Sequence, residues 1–132
     1  MILIDHPNVL KAHCSFVNDH NLSVVLPYME EGSCLHVVKS AYPNGFKESV
    51  IATVLREVLK GLEYLHHQGH IHYDVKAGNI LVDARGGIKL GDLVFQLAFS
   101  ILVTGKDQGI HLLGHLAGAN ALLFIYFHMI MI

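Results

Sequence analysis

Cysteine is scarce in this chain. Cys14 and Cys34 are the only two among 132 residues, and no further cysteine stands at metal-ligand spacing from either. That excludes a disulfide framework and makes a reduced, cytosolic setting the default expectation. Charge is sparse as well, at 15% of residues against roughly 25% in an average soluble domain. Nine Lys and Arg face eleven Asp and Glu, a net charge of −2 with neutral histidines. Such a balance provides neither a nucleic-acid footprint nor a polybasic membrane patch. The opening MILIDHPNVLKAHCS lacks a basic n-region, so it does not read as a signal peptide. Internal repeats and low-complexity tracts are absent too.

What is present is largely apolar. Hydrophobic residues make up 52% and the mean hydropathy is +0.44, which excludes intrinsic disorder. The length gives room for one domain. Of the 20 charged side chains, 18 lie in residues 1–92, and nothing after Asp107 carries a formal charge. Residues 112–132, LLGHLAGANALLFIYFHMIMI, form an uncharged stretch of about membrane-spanning length. Two histidines, Asn120 and two glycines weaken it as a span, and no Lys/Arg cluster flanks it. A buried apolar tail is the plainer reading.

Local patterns predict a small set of elements. Residues 14–17 (CSFV) and 22–26 (LSVVL) flank Asn18-Asp19-His20-Asn21, the signature of a β-hairpin. Pro27 removes a backbone donor and ends the second strand. Ser33 is placed to cap a short helix over residues 34–40, and Tyr42-Pro43-Asn44-Gly45 breaks the chain. Across residues 47–67, Ile51, Val54, Leu55, Val58, Leu62 and Leu65 recur at three- and four-residue steps. Glu48, Arg56, Glu57, Lys60 and Glu63 fall elsewhere, so the segment reads as an amphipathic helix with one apolar stripe. Gly69 is its left-handed stop. Residues 80–82 and 88–90 around Asp83-Ala84-Arg85-Gly86-Gly87 predict a second hairpin, with Gly86-Gly87 supplying positive φ.

The chemistry concentrates in residues 72–79, His72-Tyr73-Asp74-Val75-Lys76-Ala77-Gly78-Asn79, followed thirteen residues on by Asp92. Phosphoryl transfer needs such parts: a carboxylate to orient and deprotonate the attacking hydroxyl, a cation to offset charge on the transferred group, and oxygen ligands for Mg²⁺. His66/His70 and His111/His115 stand at i,i+4 spacing. That spacing can place two ligands on one helix face, but no third ligand is evident and Gly69 puts the first pair astride a helix end, so a metal site is not the expectation. Taken singly, Leu26 and Met29 read as core residues, and both cysteines as small buried apolar groups.

Here the chain resembles the catalytic-loop region of eukaryotic protein kinases, H-R-D-x-x-x-x-N followed by D-F-G. The wording from His70 to Leu81 is most similar to the sterile-twenty-like (germinal-centre-type) serine/threonine kinases. Gly32-Ser33-Cys34-Leu35-His36 and Ala41-Tyr42-Pro43-Asn44-Gly45-Phe46 resemble their plant branch, which includes blue-light-signalling kinases. The likeness runs from about residue 4 to Asp92. It implies an α+β fold, a partial protein-kinase-like domain in residues 1–92: an N-lobe remnant (1–26), a hinge (27–33) and part of the C-lobe (34–92), with 93–132 an unrelated apolar tail. It implies ATP and Mg²⁺ as cofactors and a protein substrate or kinase-pathway partners. By position, Asp74 would be the catalytic base, Lys76 the γ-phosphate contact, and Asn79 and Asp92 the Mg²⁺ ligands. His72 would be a strut of the loop. Leu26 would be the gatekeeper closing the second strand; Pro27 and Met29 would read adenine, Ser33 would approach the ribose and Leu81 would form the floor under the base.

The departures are specific. Tyr73 stands where activation-loop-regulated kinases have Arg, and a tyrosine does not supply the charge that pairs with a phosphorylated loop. Leu93-Val94 follow Asp92 in place of Phe-Gly, and Val does not take the backbone that Gly allows. Residues 1–15 hold neither a glycine-rich loop nor its strand lysine. Losing one preorganised donor costs roughly 2.7–4 kcal/mol of transition-state stabilisation, so the expectation is a truncated kinase with no more than trace activity. The resemblance further implies that the six stripe residues lack the later helices that cover them, forgoing about 1.5–3 kcal/mol each. That total, on the order of 10 kcal/mol, equals the whole stability of a typical domain. Alternative readings are a non-catalytic interaction module, a tail-anchored membrane protein through 112–132, and a gene-model fragment of a full-length kinase whose sequence is misjoined after Asp92.

Overall fold

A computed structural model describes residues 4–18 and 21–93. The elements run β1 (Cys14–Asn18), β2 (Asn21–Val25), β3 (Gly32–Ser33), α1 (Cys34–Ala41), α2 (Glu48–His67), a 3₁₀ turn (Ala77–Asn79), β4 (Ile80–Val82) and β5 (Ile88–Leu90). This is the mixed α+β arrangement expected of a partial kinase-like fold. Strands β1 and β2 form an antiparallel hairpin, in register from Cys14↔Val25 to Asn18↔Asn21. A separate antiparallel sheet has the order β3-β4-β5.

Local chemistry accounts for most of these boundaries. Ser33 has extended backbone, and its Oγ accepts from His36 N at 3.1 Å, capping α1. Lys47 is the N-cap of α2, so that helix begins at Glu48, whose charge suits the N-terminal dipole. It ends as expected, with Gly69 at φ +78° and His70 N donating back to Leu65 O at 2.8 Å. In the β4–β5 turn only Gly86 uses positive φ, at +78°. Asp83 Oδ1 accepts from Arg85 N (2.8 Å) and Gly87 N (2.7 Å), and these donors hold its carboxyl below the usual range.

The core sits between α2 and the three-stranded sheet. Five of the six stripe residues, Ile51, Val54, Val58, Leu62 and Leu65, are buried, and Leu55 is partly so. The expected loss of their burial is therefore overturned. Among the described residues they share one buried cluster with Ile4, Val9, Ile80, Ile88 and Leu90. Gly61 makes the close approach workable: a Cβ there would lie 2.8 Å from Asn8 O and 3.0 Å from Leu90 Cδ1. Cys34, fully buried as the first residue of α1, has its thiol pushed up to about 12 by that burial.

Residues 8–10 complete the far edge of the sheet. Val9 forms a parallel bridge with Leu90, Leu90 N donates to Asn8 O (2.9 Å), and Leu10 N donates to Leu90 O (2.8 Å). Asn8 Nδ2 donates to Ile88 O and to Glu57 Oε2, both at 3.0 Å. Glu57 also accepts from Lys60 and Arg56, and these bonds, Lys60 foremost, lower its carboxyl to about 2. Asp5 N donates to Tyr64 Oη at 2.9 Å, and the His6 ring stacks on Tyr64 at 4.9 Å. Among the described residues no helix is long and apolar enough to cross a membrane. Val94, His111, His115 and the stretch 112–132 lie outside them.

Candidate active site

The segment between α2 and β4 is anchored by three inward residues. His72, Val75 and Ala77 are buried, which leaves Asp74, Lys76 and Asn79 partly exposed on one outer surface. Lys76 Nζ donates to Asp74 Oδ2 at 2.7 Å. Asn79 Nδ2 donates to the same oxygen at 3.1 Å and to the Asp74 carbonyl at 2.9 Å. One carboxylate oxygen thus receives both donors, and Oδ1 is left to accept from something else. The carboxylate in turn raises the Lys76 pKa, chiefly through this hydrogen bond, so the ammonium stays charged. Asn79's amide nitrogen is committed to Asp74, which leaves its Oδ1 as an oxygen donor for a cation.

Asp92 joins the group through Gly91. Gly91 N donates to Asn79 O at 2.8 Å, continuing the β4–β5 ladder by one step. Its carbonyl accepts from His72 Nε2–H at 2.7 Å. That bond fixes the tautomer and leaves Nδ1 buried with no partner. Burial pushes the His72 pKa down, against the opposing charges of Asp74 and Asp92. A Cβ at Gly91 would lie 3.0 Å from Leu81 Cδ1, so the glycine lets Leu81 pack close to the turn that carries Asp92. Asp92 is exposed with φ +62°, and Leu93 beside it is buried in the core.

A second group forms around β3 and β4. Ser33 pairs with Leu81 across the ladder, and Gly32 with Val82. Met29 is buried, its carbonyl accepting from Gly32 N at 3.0 Å, while Glu31 N donates to Val82 O at 3.2 Å. Met29, Ser33 and Leu81 are therefore brought together. Leu26 and Pro27 are not drawn into this group by any hydrogen bond among the described residues. The expectation that Leu26 closes the second strand is corrected: β2 ends at Val25, and Leu26 lies beyond it with 43% of its surface exposed. Pro27, next in the chain, accounts for the early end, since proline has no N–H for the ladder. Two surface grooves flank α2, one lined by Ala52, Leu55, Leu59 and Lys60, the other by His6, Asn8, Tyr64 and His67. Neither includes a residue of the Asp74 loop.

Comparison with known proteins agrees with this geometry. Residues 1–102 match the family described as protein kinase domain. The chain belongs to that family. It is 43% identical over 108 residues to the serine/threonine-protein kinase fray2 of Dictyostelium discoideum, covering 82% of this chain and 10% of that protein. It is also 43% identical over 88 residues to fray1 of the same organism, covering 67% and 15%. The human STE20-related kinase adapter protein alpha is 37% identical over 106 residues, covering 80% and 24%. Its relatives are thus STE20-related, and the chain spans between a tenth and a quarter of their lengths. The kinase-domain match reaches ten residues past Asp92.

Sequence reasoning missed three participants in this kinase-domain site. Gly91 joins Asn79, His72 and Leu81, and only its place before Asp92 marks it in the sequence. Gly61 and Asn8 brace β5 from behind; an interior helical glycine among larger apolar residues was the available signal for a close approach.

Proposed function

We propose that this chain carries the catalytic-loop part of a serine/threonine protein kinase, whose family reaction moves the ATP γ-phosphoryl group to a protein Ser or Thr hydroxyl. The observation that supports it is the hydrogen-bonded Asp74–Lys76–Asn79 cluster, tied through Gly91 to Asp92. Asp74 Oδ1 accepts the substrate hydroxyl's hydrogen bond and then its proton. The hydroxyl oxygen bonds to the γ-phosphorus as the bond to the ADP oxygen breaks. Lys76 holds positive charge beside that transfer and is itself held by Asp74. Asn79 Oδ1 and the Asp92 carboxylate are hard oxygen donors of the kind Mg²⁺ takes together with substrate phosphates, so the residues present fit that ion. Bound Mg²⁺ supplies neutralisation of phosphate charge. Met29 meets the adenine by its backbone, Ser33 approaches the ribose and Leu81 forms the floor under the base; these three are the residues gathered around β3 and β4.

The 132-residue polypeptide, holding neither a glycine-rich loop nor its lysine, turns over ATP at no more than trace rate. Radiolabelled phosphate transfer to a generic protein substrate is expected to equal the background of Asp74→Asn. Incorporation that Asp74→Asn abolishes overturns the inactivity. The residue roles are tested separately by transplanting residues 70–92 into an active STE20-related kinase. Activity is expected to survive the transplant and to vanish on Asp74→Asn within it; a dead transplant that still folds overturns the assignment. The wording at residues 32–36 and 41–46 supports membership of the plant blue-light-signalling branch, and the scarcity of cysteine supports a cytoplasmic setting.

A second reading, a non-catalytic interaction module, is favoured by the human relative's name, a kinase adapter protein. A stable fold with no measurable Mg–ATP binding is the outcome that selects it.

A further inference from the structure

Helix α2 is apolar over a wider face than the core uses. Beside the buried stripe, Ala52, Leu55 and Leu59 follow one another at steps of three and four residues and line an open groove. Leu55 is partly buried and packs against the core, Ala52 is exposed, and Leu59 keeps 47% of its surface exposed. Through Leu55 the groove is continuous with the core, so an occupant extends the existing apolar cluster.

The other residues lining it are Arg56, Lys60 and Glu63. The two cations are met on α2 itself: Arg56 Nε and Lys60 Nζ donate to Glu57 Oε1 at 3.1 and 2.8 Å. Glu63 Oε1 lies 4.0 Å from His67 Nε2, one turn on. A rim supplied in this way asks for no charge from what covers it. A second copy of the same face would bring a second charged rim to desolvate; an uncharged apolar segment brings none.

The chain holds one such segment, and phosphoryl transfer makes no use of it. Residues 112–132 contain no Asp, Glu, Lys or Arg. Leu93, the last described residue, is buried in the same cluster as the α2 stripe. The 18 residues from 94 to 111 span up to about 60 Å when extended. Helix α2 has 20 residues and is therefore about 30 Å long, so the uncharged segment reaches any point along it.

We infer that the segment 112–132 of this chain seats on the outer shoulder of α2, its apolar side chains covering Ala52, Leu55 and Leu59. This seating does not depend on phosphoryl transfer taking place. The photoreactive residue p-benzoylphenylalanine, placed at position 59 of the full chain, reports what lies over the groove. After irradiation, peptide mass spectrometry is expected to find it joined to a residue of 112–132 in the same molecule. The same probe at position 53, where Thr53 is exposed and outside the groove, is expected to give no such adduct. Mixing isotope-labelled and unlabelled chains separates the two kinds of join, and a parallel sample contains phosphatidylcholine vesicles. Adducts between different molecules make the occupant a second copy, and adducts with the lipid make it a membrane; either overturns the seating. So do equal adducts at both positions, or none with 112–132. Leu59→Gln, at a half-exposed position, gives an independent reading. It is expected to speed hydrogen exchange of the 112–132 amides about tenfold while Leu90 and its neighbours keep their rates. Unchanged exchange across 112–132 overturns the seating.

Discussion

The two hairpins begin from the same kind of sequence and end in different surroundings. In β4–β5, Ile80, Ile88 and Leu90 are buried, and both edges are covered, one by β3 and the other by residues 8–10. In β1–β2, Phe16 and Val25 are 54% and 42% exposed, and the strands pair with each other alone among the described residues. A two-stranded hairpin is marginal without a further layer, so turn chemistry and alternation specify the hairpin but not what it packs on. The candidate site divides along the same line. Residues attached to β4–β5, namely Asn79, Leu81 and Asp92, are gathered with Asp74 and Ser33. Leu26 and Pro27, which trail β1–β2, share no hydrogen bond with that group among the described residues.

Substitutions sharpen the contrast, beginning where the effect is largest. Leu90→Ala empties the space between α2 and residues 8–10 and is expected to cost about 2–5 kcal/mol in denaturant unfolding. A loss below about 1 kcal/mol would remove β5 from the core. Gly61→Ala comes next. In an open helix it would gain about 0.5–1 kcal/mol, but contact with the Asn8 carbonyl and Leu90 turns this into an expected loss of about 1–3 kcal/mol. A gain in melting temperature would show that residues 8–10 do not rest on α2.

Acid probes the same packed side through two groups. His72 is depressed by burial, so an unfolded chain takes up a proton that the folded ring refuses. Stability therefore declines as pH falls below about 6.5, the ordinary histidine value. Glu57 is lowered to about 2 from 4.5, so its contribution is complete above 4.5 and is lost as pH falls toward 2. The urea midpoint is expected to fall in two steps, the first removed by His72→Phe and the second by Glu57→Gln; a single step unaffected by either variant contradicts the assignment. Phe16→Ala, on the open hairpin, is expected to change stability by no more than about 0.5 kcal/mol. A loss of 2 kcal/mol or more would mean that β1–β2 is covered after all.

What the sequence made legible was local. The Ser33 cap, the stripe of α2, the Gly69 stop and the turn at residues 83–87 each depend on residues within a few positions of one another, and each stands where its pattern placed it. The Asp74–Lys76–Asn79 cluster was legible for the same reason, since spacings of two and five within one short loop bring its side chains into reach. Strand β3 is two residues long and has no periodicity to read; it exists because β4 offers it an edge. The bridge from Val9 to Leu90 and the bond from His72 to Gly91 join residues far apart in sequence, and no local pattern encodes them. The mistaken expectation that the α2 stripe would lie open had the same origin. It considered which elements were missing, while the stripe's partners, from Ile4 to Leu90, were supplied from both ends of the described chain.

The unequal fates of the two cysteines give the molecule a built-in chemical reporter. Cys14 lies exposed on β1, whereas Cys34 is buried in the core with its thiol held almost entirely protonated. A maleimide dye added near neutral pH will therefore attach at a single position, on the hairpin that has least holding it. The second thiol becomes reactive only when the core around it opens. The rate at which a second label appears is then a direct clock for opening of the core between the helices and the three-stranded sheet, read on the same molecules whose outer hairpin is already tagged.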